Sequence, residues 1–486
     1  MGMMMSAGAT QPPPSGLPPV INLAPRDVAG LGAALRAYHA LFAPFFQRVE
    51  QRRWALQYLQ GQMLELERKT IEPMALALEA GNVQAMQQFI SVGAWQDDPI
   101  LAQHHRLVAE TLGDLATGVL IIDGCDFPKQ GRHSVGVARQ YCGALGKVAN
   151  CQASVVACYA SARGYTLVDR RLYLPEDWFG GAYRDRWVEC GVPDGTPFQT
   201  QPELAWQLID QARQWGALPF QWVTFDEHFG NNPALLDRIA GDGLSYLAEV
   251  PRSTRVWLER PRIAVPVGPG RGRPPSRERL APGEPEAVRV DHLAAQIAAT
   301  EWVRYEIKEG AKGPLVADFA FRRAVAVRGG RPGPDVGVVF RRGLGEAAEI
   351  KCYLTNAPAT TPAATLVRVS GMRWPVETSI QECKGEVGLD HYEVRGWVGW
   401  HHHTALTLLA HHFLVRLRVQ LGEKISGVDR PASSPVADGG AAETAAGRPD
   451  GPQPAPLHPA PELRGLLLPP QGHPAPPRFV LAKLTL

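Results

Sequence analysis

Three charged residues in the segment "MRWPVETSIQECKGEVG" (372–388) share one narrow line of a predicted helix. On a wheel of 100° per residue, Arg373, Glu377 and Lys384 fall within about 40° of one another, at the edge of the apolar stripe of that helix. Lys384 lies two turns beyond Glu377, about 10.5 Å along the axis, which is too far for a routine ion pair. The line fits either a solvated helix face or a metal-binding carboxylate flanked by cations that bind phosphate.

Two further acids follow buried strands elsewhere in the chain. Asp123 ends the apolar run "LIIDG", and Asp226 ends "VTFDEHFG". Strand ends of an α/β sheet are where side chains converge on a ligand, although an Asp at such a position is also a common turn residue. Three carboxylates from separate elements can hold two divalent cations about 3.5–4 Å apart for in-line phosphoryl transfer. Oxygen ligands favour Mg²⁺ or Mn²⁺ over zinc, so Asp123, Asp226 and Glu377 predict a site for two Mg²⁺ ions.

The elements that must position these acids follow from periodicity and composition. A strand, an amphipathic helix (202–216) and a second strand succeed one another in the middle of the chain, which predicts a βαβ unit in a mixed α/β domain. The predicted regions are a disordered N-terminus (1–25), a helical region (26–115), the first part of the core (116–244), a β-rich insertion (245–370), the C-terminal core helices (371–423) and a low-complexity, disordered tail (424–486).

Composition restricts the class of protein. The chain has 486 residues, 50 Lys and Arg against 48 Asp and Glu, and a formal net charge of +2, which neither demands nor excludes an acidic partner. Its seven Cys form no CxxC pair, so we expect reduced thiols. We find no signal-peptide pattern and no apolar run of the ~18–20 residues that span a bilayer, and therefore expect a soluble cytoplasmic protein without membrane partners.

Longer motifs around these acids carry a family resemblance. The first block is "IIDGCDFPKQGRHSVGVARQYCGALGKVANCQ", and "LYLPEDWF" and "VPDGTPFQTQPELA" follow it. The last block is "RWPVETSIQECKGEVGLDHYEVRGWVGWHHH". Over about residues 30–420 the chain resembles DDE transposases of bacterial insertion sequences, of the IS-four and IS-seven-oh-one type.

The resemblance implies a fold and an activity. The fold is an α/β, RNase H-like mixed-sheet catalytic core with a β-rich insertion between the second acid and the Glu, preceded by a helical DNA-binding region. The activity is metal-dependent cleavage and strand transfer at the ends of an insertion sequence. The partners would be double-stranded DNA, both terminal inverted repeats and target, and a second copy of the chain on that DNA.

The resemblance also implies roles for particular residues. Asp123, Asp226 and Glu377 would be the catalytic acids, and Arg373 and Lys384 would contact phosphates. Many relatives have "DDTGF" where this chain has "DGCDF", so Asp126 remains a rival to Asp123 as the first acid.

Four further cations and one tryptophan fit DNA contacts but also fit ordinary protein surface. Lys129 and Arg132 follow the first acid and fit either phosphate contacts or a solvated loop. Residues 251–282 contain eight Arg and two Glu. Arg271, Arg273 and Trp257 in this segment suit backbone contact and base stacking, unless the segment is merely soluble surface.

The histidines favour structural roles. In the run His401–His403, consecutive side chains of a helix point in different directions, so we expect packing or DNA-facing roles rather than a metal cluster. His228 beside Asp226 is expected to be a packing neighbour rather than a proton shuttle, because a metal-activated hydroxyl needs no dedicated base.

Two alternative functions stay open. One is a catalytically inactive or repurposed DNA-binding protein of the same fold. The other is a hydrolase, such as a glycosidase, that uses paired carboxylates without metal.

Overall fold

The computed structural model describes residues 25–266, 276–308, 314–344 and 349–425. The regions predicted as a disordered N-terminus (up to 24) and a low-complexity tail (from 426) lie outside these ranges. Helices occupy the first part of the described chain: α1 (Pro25–Ala40), α2 (Val49–Gln62), α3 (Ile71–Ala77), α4 (Val83–Ser91) and α5 (Asp98–Leu112). Pro99 lies in the first turn of α5, where its missing N–H costs no intrahelical hydrogen bond.

Strands and helices then alternate as the sequence predicts. They are β1 (Val119–Pro128), β2 (Ala138–Cys142), β3 (Lys147–Ser161), β4 (Gly164–Tyr173), α6 (Arg184–Glu189), α7 (Gln201–Trp215), β5 (Trp222–Phe225), α8 (Glu227–Gly230), α9 (Pro233–Gly241) and β6 (Ser245–Val250). Helix α7 starts with a capping box between Thr200 and Glu203 and ends at Gly216, whose φ of 65° is left-handed.

The rest of the described chain adds β7 (Arg255–Trp257), β8 (Ile263–Ala264), β9 (Arg279–Leu280), β10 (Val288–Arg289), α10 (Val290–Ala295), β11 (Val303–Lys308), β12 (Leu315–Arg328), β13 (Arg331–Arg342), β14 (Ile350–Thr355), α11 (Ala363–Gly371), α12 (Trp374–Val387) and α13 (Trp397–Ile425). None of these helices is both long and apolar enough to cross a membrane.

One mixed sheet of 12 strands joins most of these elements. Its order is β10-β7-β12-β13-β14-β6-β5-β1-β3-β2, with β11 also paired to β12 and β4 to β3. Strand β3 is antiparallel to both of its neighbours β1 and β4, whereas β5 is parallel to β1 and β6 to β5.

The sheet corrects the predicted boundary of the insertion at residue 245. Strand β6 pairs with β5 on one side and β14 on the other, so it belongs to the central sheet. The described strands of the insertion extend that sheet, apart from the small β8–β9 pair.

The two faces of the central strands are covered by different helices. Leu120, Ile122 and Val223 pack in a core with α7 and α9. Val119 and Ile121, which alternate with them, pack in a second core with α12, α13 and the N-terminal helices. Residues of β1 with odd numbers therefore face α12.

Helix α13 is buried, and its histidines bind the helical region to it. His412 Nδ1 lies 3.0 Å from Tyr38 Oη, and His403 Nδ1 lies 2.7 Å from Tyr58 Oη. His402 is within 2.9 Å of two backbone carbonyl oxygens, and its ring stacks on Trp95. These contacts agree with the structural alternative for the run His401–His403.

A buried ion cluster also joins the helical region, the sheet and α13. Arg170 on β4 pairs with the Asp97 carboxylate before α5 and lies 3.5 Å from Asp169 Oδ1. Its guanidinium also donates to His401 O at 2.7 Å and to Thr404 Oγ1 at 2.8 Å. We call Asp97, Asp169, Arg170 and Arg171 the Arg170 cluster.

Candidate active site

Strand register brings three carboxylates level on adjacent central strands of the sheet. Ile122 on β1 pairs with Phe225 on β5, which in turn pairs with Ala248 on β6. The next residues along these parallel strands are Asp123, Asp226 and Glu249. Because side chains alternate along a strand, Asp123 points to the face that α12 covers.

Helix α8 orients Asp226. Its Oδ1 accepts hydrogen bonds from the backbone N–H groups of His228, at 3.1 Å, and Phe229, at 3.4 Å, and so caps the helix. The imidazole of His228 turns to Gln201, 2.8 Å from Nε2 to Oε1, and not to Asp226.

Helix α12 brings Glu377, and Arg373 immediately before the helix, to these carboxylates. Arg373 Nη2 donates to Glu377 Oε1 at 2.5 Å, and its other nitrogens lie 3.4 Å from Glu249 Oε2 and 3.9 Å from Asp123 Oδ2. One guanidinium thus contacts carboxylates from β1, β6 and α12. This contact brings Asp123 and Glu377, two of the three acids predicted from sequence, together with a residue that sequence reasoning missed.

Glu249 is the missed residue. Lys351 Nζ on β14 donates to its Oε1 at 2.9 Å. Its sequence signal, "SYLAEVP", is the same as for the other strand acids, an apolar run that ends in a carboxylate. The sequence places this run in the predicted insertion (245–370), where no convergence with Asp226 is expected.

Burial and mutual repulsion make this an acid-rich site. Burial, and then the negative charges of Asp226 and Glu377, raise the pKa of Asp123 to about 7, although Arg373 opposes the shift. A backbone N–H from Gly124 to Asp123 Oδ1, at 2.8 Å, also favours the ionised form.

The donor set fits hard divalent cations. Oxygen ligands and an excess of negative charge are what Mg²⁺ and Mn²⁺ require, and a bound cation would relieve the repulsion that raises the pKa of Asp123. In the described part of the chain, no three His, Cys, Asp or Glu side chains are grouped closely enough to hold a metal ion. The guanidinium of Arg373 lies among the carboxylates.

Asp126 lies apart from this group. It follows Asp123 by three residues on β1, so it points to the opposite face. Its Oδ2 accepts a 2.5 Å hydrogen bond from Gly143 N, at the turn between β2 and β3. Lys384 Nζ donates to the backbone oxygen of Asp126 at 2.8 Å, which places this cation beside β1.

The other predicted DNA contacts differ in their surroundings. Lys129 Nζ lies 3.6 Å from the centre of the Tyr392 ring, and burial lowers the pKa of this amine to about 8. Arg132 is exposed. Arg271 and Arg273 lie outside the described residues.

Trp257 requires a correction. Its side chain is only 4% exposed, and its indole N–H donates to Pro285 O at 3.0 Å. The ring is therefore covered by the protein and does not offer a face to a base. Two nearby arginines form ion pairs within the protein. Arg252 pairs with Glu349, and Arg260 pairs with Asp335.

Comparison with known proteins defines the class of this site. A sequence model of the DDE superfamily endonucleases matches residues 41–314, more than half of the chain. The chain therefore belongs to the DDE superfamily endonucleases, which confirms the resemblance in the motifs. The matched region includes Asp123, Asp226 and Glu249 and ends before Glu377.

A second comparison gives a particular relative. The chain is 28% identical over 180 residues to a probable transposase for insertion sequence element IS701 from Microchaete diplosiphon. The alignment covers 37% of this chain and 43% of that protein. The likeness thus spans less than half of the relative.

Proposed function

We propose that this protein is a transposase that cuts and rejoins DNA at the ends of its insertion sequence. The single observation that carries the proposal is the alignment of Asp123 with Asp226 on adjacent parallel strands, beneath a helix that brings Glu377 to Asp123 through Arg373. Unrelated strand-end acids would have no reason to share one register and one face.

The strands around this site support an RNase H-like core. In the order β4-β3-β1-β5-β6, three antiparallel strands are followed by two parallel ones. The first acid then lies within β1, the second directly follows the adjacent strand β5, and the third arrives on a helix after the insertion. This is the arrangement that the family resemblance implies.

The proposed roles follow from the donor set. Asp123, Asp226 and Glu377 would hold two Mg²⁺ ions, or Mn²⁺. When bound, such ions activate the attacking oxygen and stabilise the leaving one. Asp123 is preferred to Asp126 because Asp126 faces away and bonds to a turn.

The cations around the acids would bind the DNA backbone. Arg373 can offer a planar fork to a phosphate, and Lys384 a point charge about three helical turns away. Lys129 and Arg132 follow the strand that carries the first acid, and Arg271 and Arg273 remain proposals of the same kind. Double-stranded DNA is the proposed substrate, and a homodimer on that DNA the proposed assembly.

A cleavage assay on the DNA that flanks the coding region tests the proposal. We expect Mg²⁺-dependent release of the element ends by the full chain and a loss of at least about 10³-fold in Glu377→Gln. Glu382→Gln is the matched control, because Glu382 lies on the same helix but bonds to His411 and Arg418. Its folded fraction should cleave normally.

The other functions predict different results. An inactive DNA-binding protein would bind the duplex but release no ends with either variant. A hydrolase that uses carboxylates alone would retain activity in EDTA.

A further inference from the structure

An unusual stretch of sequence lies next to the candidate active site. No Asp or Glu occurs from residue 127 to residue 168, between Asp126 and Asp169, although five Lys and Arg do. In a chain with a net charge of only +2, this is a strong local excess of positive charge. The stretch contains the hairpin formed by β2 and the first residues of β3.

The end of this hairpin, residues 139–148, exposes apolar groups together with cations. Tyr141 is 66% exposed and pairs across the hairpin with Val148, which is 53% exposed. Leu145 in the turn is 47% exposed. Arg139 and Lys147 are exposed beside them. We call this end the hairpin tip.

The hairpin tip is fixed to the strand that carries the first acid. Gly143 N donates to Asp126 Oδ2, and Gly146 adopts a left-handed φ of 61° that closes the turn. Asp126 lies three residues beyond Asp123, about 10 Å along an extended strand. The tip is thus held to β1, about 10 Å along the strand from Asp123, by a backbone contact that needs none of its exposed side chains.

We propose that the hairpin tip binds the DNA duplex beside the phosphodiester that is cut, with Arg139 and Lys147 on phosphates and Tyr141 and Leu145 against sugars and bases. This inference rests on the proposed function, since it assigns part of its DNA-binding surface. Exposed apolar side chains next to cations are the combination that proteins insert into or stack on nucleic acid.

Charge favours DNA over a second copy of the chain as the occupant. Two hairpin tips packed together would oppose cations with no carboxylate between residues 127 and 168 to neutralise them. A duplex supplies phosphates to the cations and an apolar groove surface to the tyrosine.

Binding in EDTA tests the inference without any cleavage. A fluorescein-labelled 30-base-pair duplex of arbitrary sequence is titrated with the full chain by anisotropy at several salt concentrations. We expect the combined substitution Arg139→Ala and Lys147→Ala to reduce the slope of log affinity against log salt by about 2. Tyr141→Ala should weaken binding roughly tenfold and leave the slope unchanged.

The controls make the outcomes distinct. Arg238→Ala removes an exposed cation on α9, away from the hairpin, and should not change the slope. Far-ultraviolet circular dichroism and melting temperature should be unchanged in the hairpin variants, because the substituted side chains are exposed.

Failure of this inference differs from failure of the proposed function. If the chain cleaves element ends but the hairpin variants bind the duplex like wild type, the inference is wrong and the transposase assignment stands. If no variant cleaves but the slope falls as expected, the hairpin contact stands without the activity. Light scattering that shows Tyr141→Ala breaking a DNA-free dimer would assign the surface to a second copy instead.

Discussion

Two clusters of buried charged residues in this molecule are built from the same residue types and differ in the balance of acidic and basic side chains. The Arg170 cluster has two acids and two arginines, and the Arg170 side chain is only 3% exposed. The candidate active site has four acids with two neighbouring cations: Asp123, Asp226, Glu249 and Glu377, with Arg373 and Lys351.

The difference appears in the carboxyl groups. In the Arg170 cluster, Arg170 holds the pKa of Asp97 well below its usual range despite the burial that would raise it. In the candidate active site, burial and like charges raise the pKa of Asp123. A balanced cluster stabilises the fold, whereas an excess of negative charge at the candidate active site causes repulsion that a bound cation can relieve.

Removing one carboxylate from each cluster should have opposite effects on stability. Asp97→Asn leaves the buried Arg170 short of a partner and should lower the free energy of unfolding by about 3 kcal/mol. Asp123→Asn removes repulsion and should raise the free energy of unfolding by about 1 kcal/mol at pH 8 in EDTA. Urea denaturation of the two variants and wild type measures both. Equal destabilisation by the two substitutions would contradict the comparison.

The stability difference should also depend on pH in a defined direction. Asp123 has a folded-state pKa of about 7, above its ordinary value of 3.8. Between those values the folded protein keeps a proton that the unfolded chain has released, so stability is lost as pH rises towards 7. We expect wild type to lose about 2 kcal/mol from pH 5 to pH 7 relative to Asp123→Asn.

The same denaturation series in EDTA, extended to pH 8.5, provides the check. Above pH 7.5 the difference between the two proteins should be constant, because Asp123 is then ionised in both states. A difference that grows in favour of wild type between pH 5 and pH 7 would mean that Asp123 is stabilised as a carboxylate.

A substitution at Glu249 tests the role of a single carboxylate within the candidate active site. Glu249→Gln removes one of the carboxylates that align Arg373, so we expect cleavage to fall about tenfold, mainly in kcat. Glu349→Gln is the control, since that residue forms an exposed pair with Arg252 on the neighbouring part of the sheet. Equal rates for Glu249→Gln and wild type would show that Arg373 needs no support from β6.

The sequence predicted local features well and long-range pairing poorly. Asp123 and Asp226 were identifiable because an apolar run that ends in an acid is a local pattern. Glu249 has that pattern too, but its position beside Asp226 depends on β6 pairing with β5 and with β14, about 100 residues later. Register between distant strands is set by packing of the whole sheet and not by either segment alone.

The same limit explains Trp257. Arginines lie two positions before it and three positions after it, at Arg255 and Arg260, and indicate an exposed cationic surface. Its neighbours in space come from β12, at Val325, and from Pro285. Both of these partners lie 28 or more positions away, beyond the reach of any local pattern.

The smallest expected effect concerns that corrected tryptophan. Trp257→Phe keeps an aromatic ring in the buried site but removes the N–H that donates to Pro285 O, leaving that acceptor unpaired. We expect the free energy of unfolding to fall by about 1 kcal/mol, with duplex affinity in EDTA unchanged.

Because Phe stacks on bases nearly as well as Trp, Trp257→Leu is measured beside it. A tenfold loss of affinity in Trp257→Leu, with Trp257→Phe like wild type, would return the residue to the DNA-binding surface. Unchanged affinity in both would confine the cationic contacts to residues whose side chains reach solvent, such as those of the hairpin tip.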